Sequence, residues 1–557
     1  MVARTSIVAG FLFAVLFTAT TGCSPNEDPQ TGSQTNWLRA CNADADCGSQ
    51  SCNCGICTHP CDVDSACSEL PGSSCVSAQD PGAVALCGGS SPSASALCLA
   101  RCGDDVCADG QVCVAGVCSP LPSPNARVTV DSATRFQVLA GFGATLAYAE
   151  NDVVQHPRQL ALLEAMFSSL GLDILRLRNR YGYTGDDNLT SAKTIVDAAA
   201  VSLVRKPTVI LTSWSPPASL KANDATLCRG NDDSCTLIRL SGGGFDYDGY
   251  AAYWRASLDA YTVAGVVPDY VGIQNNPDFV PTSAVPGEGC KFLPTQGTAI
   301  VTTNGVGNTF EFPGYTQALQ AVVSRFKELA APPKIIAPDV SIPGYVSQYL
   351  SLLDVASIDA IGHHLYGSDP TSPNEAVLRQ LNQLGQSTGR PVFQTEMQAD
   401  GMGTAALLHQ TLVTEGAAAY LHNALVGPGP TATVDSGALI AIDSQDFVLQ
   451  PAYHALRHYA LHTDPGWVRV QADSNQANLL ASAWLSPAGD SLAIVIVNSG
   501  LAPLDVELGY DETMATESQV TRTVFDGLER SADLGRLPKE RILRLPGRSM
   551  ATIALKR

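Results

Sequence analysis

The residues best equipped for chemistry in this chain stand at the ends of apolar runs. Glu396 follows Pro-Val-Phe-Gln-Thr at 391–395, so a carboxyl group closes what reads as a buried strand. A carboxylate in such a place is costly unless donors hold it. Arg176 or Arg178, on a strand-like run at 173–178, and Tyr366, closing another at 358–366, are the candidate donors. They would keep Glu396 charged and aimed. A second polar cluster follows the apolar run 270–274: Asn275, Asn276, a turn closed by Pro277, then Asp278. An amide exchanges no proton near neutral pH, so Asn275 and Asn276 can bind but cannot act as acid or base. On their own, a single Glu at a strand end is more often a solvated rim residue, and Asp278 more often a turn cap.

Other chemistries find little support. His363, His364 and His422 are not at helical ligand spacing and have no carboxylate partner in a metal-binding pattern. No Gly-x-Ser-x-Gly elbow is present. Gly141-Phe-Gly143 is too short to be a nucleotide-binding fingerprint. No metal and no cofactor are expected. A net charge of −20 argues against nucleic acid and anionic lipid surfaces as partners. A neutral polymer such as a polysaccharide suits that balance, and a monomer is expected.

The elements that would carry these residues alternate. Strand-like runs at 137–144, 173–178, 208–214, 270–274, 334–338, 358–366, 391–395 and 419–425 are separated by helical patterns, for example 160–170, 315–329 and 375–384. Eight strands with helices between them predict a (β/α)8 barrel. Parallel strands buried on both faces read as near-continuous apolar runs, and in such a barrel the residues just past the strand ends meet the ligand. After about 465 the pattern becomes short alternating runs without helices, a small antiparallel β-sandwich. An early alternating strand at 127–131 is assigned to the same sandwich.

The N-terminus differs in kind. Arg4, an apolar run at 7–17 and small residues up to Gly22 read as a signal peptide over 1–22. Thr20-Thr21-Gly22-Cys23 resembles a bacterial lipoprotein processing site, so Cys23 is the expected lipid anchor in a cell-envelope or outer membrane, with plain secretion the alternative. A flexible polar spacer follows over 23–40. Fourteen of the 18 cysteines then crowd into 41–118, where apolar periodicity disappears. An exported segment of this kind is held by disulfides rather than by a core. Cys41-Asn-Ala-Asp-Ala-Asp-Cys47 recurs as Cys61-Asp-Val-Asp-Ser-Ala-Cys67. Cys228 and Cys235 could pair, leaving Cys290 free. A Pro-rich linker at 119–127 separates this module from a barrel over 128–460 and a sandwich over 461–557.

From about 128 onward the chain resembles glycoside hydrolase family 30, of clan A, with xylanase-, glucanase- and glucosylceramidase-like members. The most specific match is Ser213-Trp-Ser-Pro-Pro-Ala218 with Lys221 and Asn223, similar to the family's Trp-Ser-Pro-Pro signature. Gly141-Phe-Gly143 resembles its first strand, His364-Leu-Tyr366 its sixth-strand His-x-Tyr, and Phe393-Gln-Thr-Glu396 its seventh-strand Thr-Glu. His462 to Arg469 is similar to the passage where the family chain re-enters its sandwich. Gln274-Asn275-Asn276-Pro277 resembles the strand end Gln-Asn-Glu-Pro, whose Glu is the general acid/base.

The resemblance implies retaining cleavage of a β-linked glycan, with Glu396 as nucleophile and Asn275 binding the 2-hydroxyl. Trp214, Tyr183, Tyr366, His364 and Arg176 complete the expected binding set. It also places Asn276 where the acid/base belongs. Three readings follow: Asp278 or Glu288 substitutes as acid; turnover is weak or confined to activated substrates; or the protein binds glycans without cleaving them. Glu288 reads as a solvated residue. Glucuronoxylan-cleaving members carry an Arg after the eighth strand, whereas 427–450 contains neither Arg nor Lys and Asn423 replaces an aromatic platform. Unbranched xylan, β-1,6-glucan and other β-glycans therefore stand ahead of glucuronoxylan.

Overall fold

The computed structural model describes residues 37–557 except 69, 71, 103–106, 108–110, 184–187, 231–233, 304–305, 368, 370–372, 430–436 and 515. The expected signal peptide, Cys23 and most of the spacer lie outside the described residues.

Eight parallel strands close into a barrel: β1 Gly141–Leu146, β2 Ile174–Arg178, β3 Thr208–Thr212, β4 Tyr270–Gly272, β5 Lys334–Val340, β6 Ala360–His364, β7 Val392–Met397 and β8 Ala419–Asn423. Each pairs with the next, and β8 closes on β1 through Ala419↔Gly141 to Asn423↔Thr145. A helix follows nearly every strand, the longest being Tyr247–Val263 after β3. Glu375–Thr388 shows the local logic well. Asn374 accepts hydrogen bonds from the first free N–H groups, and Gly389, at φ 65°, ends the helix in the left-handed region.

The lumen is apolar at the bottom and charged two residues higher. Ile174, Ile210, Ile336, Ala360, Phe393 and Ala419 pack together inside the barrel, with Tyr270 against them. Side chains two apart on a strand point the same way. Above Ile174 stands Arg176, above Ile210 stands Thr212, and above Phe393 stands Thr395, all buried. The strand ends therefore deliver polar groups inward without disturbing the apolar floor.

Strand Ala126–Val138 leads into β1 and pairs with Val468–Ser474, which leaves the barrel's last helix. Both belong to one curled nine-stranded sheet, mostly antiparallel. The sheet is joined to the barrel by helix Pro451–Ala460, whose buried His458 bonds Thr552 and Thr523 at 2.9 Å each.

The cysteine-rich segment is built from three like units. In each, two successive cysteines bond to the facing cysteines of the hairpin that follows: 41–52 and 47–57, 61–75 and 67–98, 102–113 and 107–118. Cys52↔Cys57, Cys75↔Cys98 and Cys113↔Cys118 are register partners in those hairpins. Asp44 and Asp64 accept the backbone N–H of Cys52 and Cys75, each at 2.7 Å. The module docks on the curled sheet, where Arg522, ion-paired with Glu529, donates to the Ala85 carbonyl at 3.2 Å.

Candidate active site

Arg176 occupies the centre of the barrel mouth, fully buried, with all five of its N–H groups engaged. Nε faces Thr212 Oγ1 at 3.3 Å and Nη1 faces Thr145 Oγ1 at 3.5 Å. Nη1 also bonds Glu396 Oε2 at 2.7 Å, while Nη2 bonds Asn275 Oδ1 at 2.6 Å and Asp339 Oδ2 at 2.9 Å. Four strands and the loop after β4 thus converge on one guanidinium. A planar fork of five donors is what makes that possible. Trp214 is 7% exposed, with the Arg176 guanidinium 4.6 Å from its ring centroid. Its ring is therefore a wall of the arginine site rather than an open platform.

Glu396 is held at both oxygens. Tyr366 donates to Oε1 at 2.8 Å, and Asn423 Nδ2 lies 3.4 Å from the same oxygen and 3.2 Å from the Tyr366 hydroxyl. His364 stands 3.5 Å from Asp339 and 3.9 Å from Glu396. Burial pushes the Asp339 carboxyl upward, but the Arg176 charge, the approach of His364 and the hydrogen bond from Thr395 overcome it and hold it well below the usual range. Asn275 presents its carbonyl to Arg176, so its amide NH2 is the end left for a ligand.

Asn276 leaves the strand geometry: its φ is 49° and its N–H donates to the Asp339 carbonyl at 3.1 Å. Its side-chain Oδ1 is buried without a hydrogen-bond partner.

Several expectations need correction. Asp278 accepts from Ser341 N and Ser341 Oγ at 2.7 Å each and from Ile342 N at 3.2 Å, so its carboxylate clamps the loop after β5. Both of its oxygens are thereby occupied by that loop rather than left to a ligand. Arg178 does not reach Glu396; it pairs with Glu288 at 3.1 Å. Glu288 is not solvated, since its side chain is only 8% exposed. Tyr183 donates to the Ser215 carbonyl at 2.7 Å, which fixes the loop after β2. Lys221 is buried beneath the mouth and joins two loops by donating to Ser215 Oγ at 3.3 Å and to the Gly289 carbonyl. Reasoning from the sequence missed Asp339, the contact of Asn423 with Glu396, and Tyr148. Tyr148 follows β1 at φ 70°, is 59% exposed, and lies with its ring 3.9 Å from the Arg178 guanidinium. Beside it runs a cleft of about 570 Å³ that carries Asp152 and Asp443 and no arginine or lysine among its lining residues. Among the described residues, the only groups of His, Cys, Asp and Glu close enough to share a metal ion are disulfide-bonded cysteines.

A closed (β/α)8 barrel with a curled sheet that receives both of its ends is a fold this chain shares with solved family 30 glycoside hydrolases. No family model and no curated protein matches the chain. Among solved structures it is similar to the family 30 subfamily 8 xylanase of Clostridium acetobutylicum, with 20% identity and a TM-score of 0.57 over 77% of this chain and 100% of that one. The catalytic domain of xylanase C from Talaromyces cellulolyticus gives 19% identity and a TM-score of 0.60 over the same shares. An endo-β1,6-glucanase gives 14% identity and a TM-score of 0.55, covering 77% of this chain and 94% of that one.

Proposed function

We propose that this protein is a retaining glycosidase that hydrolyses β-linked polysaccharide outside the cell, with Glu396 as the nucleophile. The observation that carries the reading is the grip on Glu396: Arg176 on one oxygen, Tyr366 and Asn423 on the other. A carboxylate fixed in that way can attack an anomeric carbon without reorganising, the condition for preorganised catalysis. In this reading the Asn275 amide, whose carbonyl is taken by Arg176, meets a hydroxyl beside that carbon. The cleft next to Tyr148 bears Asp152 and Asp443 and neither arginine nor lysine, which disfavours a glucuronate-decorated substrate and favours unbranched xylan or a β-glucan. Export through a signal segment at 1–22, with Cys23 lipidated, belongs to the same reading, and eight disulfides suit an oxidising compartment.

A second reading has one observation in its favour. Asn276 offers no exchangeable acid at the acid/base place, so the same cleft could serve a non-catalytic glycan-binding protein. Trapping separates the two. 2,4-Dinitrophenyl 2-deoxy-2-fluoro-β-xyloside and -glucoside carry a leaving group that needs no proton. With a live nucleophile, intact-mass measurement shows one added sugar, peptide mapping places it on Glu396, and Glu396→Gln abolishes it. Oligosaccharide binding without any labelling by either reagent would overturn the enzymatic reading.

A further inference from the structure

The loop after β4 carries a second carboxylate to the mouth, and it is built in rather than left in solvent. Residues Gly287–Glu288 pair with Leu227–Cys228 of the loop after β3, in the register Leu227↔Glu288. The Cys228–Cys235 disulfide closes the second of those loops. Glu288 then meets Arg178 through Oε1 alone; its Oε2 is buried with no hydrogen-bond partner. A carboxylate oxygen left bare in a buried site is costly in the ionised form and is a natural seat for a proton.

Its height in the barrel matters as much. Arg176 and Arg178 are two residues apart on β2 and both face inward, so they lie roughly 6.6 Å apart along the strand. Glu396 is bonded to the first of these guanidinium groups and Glu288 to the second, so neighbouring inward-facing arginines of one strand hold the two carboxyls. Tyr148 lies over Arg178 at the opening, its ring centroid 3.9 Å from the guanidinium.

We infer that Glu288 supplies the proton transfers that Asn276 does not. This rests on Glu396 being the nucleophile. In the first step Glu396 forms a bond to the anomeric carbon, the bond to the glycosidic oxygen breaks, and that oxygen takes the proton from Glu288 Oε2. In the second, water adds to the anomeric carbon, its proton returns to Glu288, and Glu396 leaves. Burial raises the Glu288 carboxyl above its ordinary range despite the opposing charges of Arg178 and Arg180, and Glu150 adds to the rise. Tyr148, Tyr183 and Tyr253 are the other titratable groups facing it.

The test compares the full-length wild type, Glu288→Gln, Glu288→Ala and Glu288→Asp on xylan, β-1,6-glucan and dinitrophenyl glycosides. Glu288→Gln should slow polysaccharide hydrolysis about 10²–10⁴-fold, leave formation of the glycosyl-enzyme from the dinitrophenyl substrate within about tenfold, and lose the alkaline limb of the pH profile. With Glu288→Ala, added azide should restore turnover and yield a β-glycosyl azide. If the amide variants fail to fold, as read by near-ultraviolet circular dichroism, Glu288→Asp keeps the charge opposite Arg178. It should lose far more on polysaccharide than on the aryl substrate while keeping the limb. Wild-type rates and an unchanged alkaline limb in Glu288→Gln, or undiminished polysaccharide turnover in Glu288→Asp, would overturn the assignment. So would a wild type that is labelled at Glu396 but cleaves no polysaccharide. A wild type that neither labels nor cleaves fails at the earlier step and takes the nucleophile assignment with it.

Discussion

Two arginine–glutamate pairs are stacked on β2, and they differ in what each leaves over. The lower arginine, Arg176, has every donor engaged and stands between two carboxylates, Glu396 and Asp339. The upper pair is incomplete: Arg178 Nε and Glu288 Oε2 are both buried without partners. Saturation and incompleteness have different uses. A saturated network fixes charge and position. An incomplete one keeps hydrogen-bonding capacity for a ligand or a proton, at a cost in stability. Pairs of titratable groups whose surroundings push their protonation apart are how one site holds a charged nucleophile beside an acid. Here burial raises Glu288, while the Arg176 network includes an Asp339 held low.

Removing the two arginines in turn gives the largest expected contrast. Arg176→Met would leave Glu396 and Asp339 buried with no cation between them, and breaking a buried pair in this way costs about 3–5 kcal/mol. Arg178→Met would strand one carboxylate that already tends toward its neutral form, so a loss of about 1–3 kcal/mol is expected. Urea unfolding of both variants measures the difference directly. Equal losses would mean that the upper pair is as tightly integrated as the lower.

The same contrast has opposite signs along the pH axis. Asp339 is depressed in the folded state, so its contribution to stability is complete above the unfolded value near 3.8 and is lost as pH falls through the folded one. Glu288 is raised, so its contribution is complete below the unfolded value near 4.5 and is lost as pH rises through the folded one. Thermal melts across pH 2–9 should therefore show Asp339→Asn flattening the acid flank and Glu288→Gln flattening the higher flank. If both substitutions altered only the acid side, the two carboxyls would not be opposites.

How much of this could be read beforehand follows from where each residue's partners lie. The barrel strands were legible because each is buried on both faces and reads as an apolar run. Their ends were less so: regular pairing in β4 stops at Gly272, although the apolar run continues to Ile273. Glu396 and Tyr366 stood out as polar residues closing apolar segments. Asp339 did not, since the strand-like run at 334–338 stops short of it, and the arginine that pairs with it is 163 residues earlier. Glu288 was misread for the same reason. Its Gly- and Pro-rich surroundings suggest solvent, and the buried partner that says otherwise is 110 residues away. In the cysteine module two of the three units announced themselves. The third has one residue fewer between Cys102 and Cys107 than lie between Cys41 and Cys47 or between Cys61 and Cys67, and only its bonds show the kinship.

The smallest expected effect concerns Tyr148, which caps the upper pair and faces the cleft. A non-glycine residue at φ 70° is held against a steric preference of about 1–2 kcal/mol. Backbone strain of that kind clusters at ligand sites, but a strained, exposed tyrosine could also be an accident of the turn. Glycine and alanine at this position separate the explanations. Both remove the ring, so both should weaken oligosaccharide binding by about 2–10-fold, the range of one aromatic contact, while leaving turnover of a dinitrophenyl monosaccharide unchanged. Only glycine relieves the backbone, so Tyr148→Gly should be about 1 kcal/mol more stable than Tyr148→Ala. Calorimetric titration with xylo- and gluco-oligosaccharides reads the first effect and thermal melting the second. A stability gap with no change in binding would leave Tyr148 as a feature of the turn alone. Weakened binding in both variants, with the gap present, would show strain retained because the ring is needed where it stands.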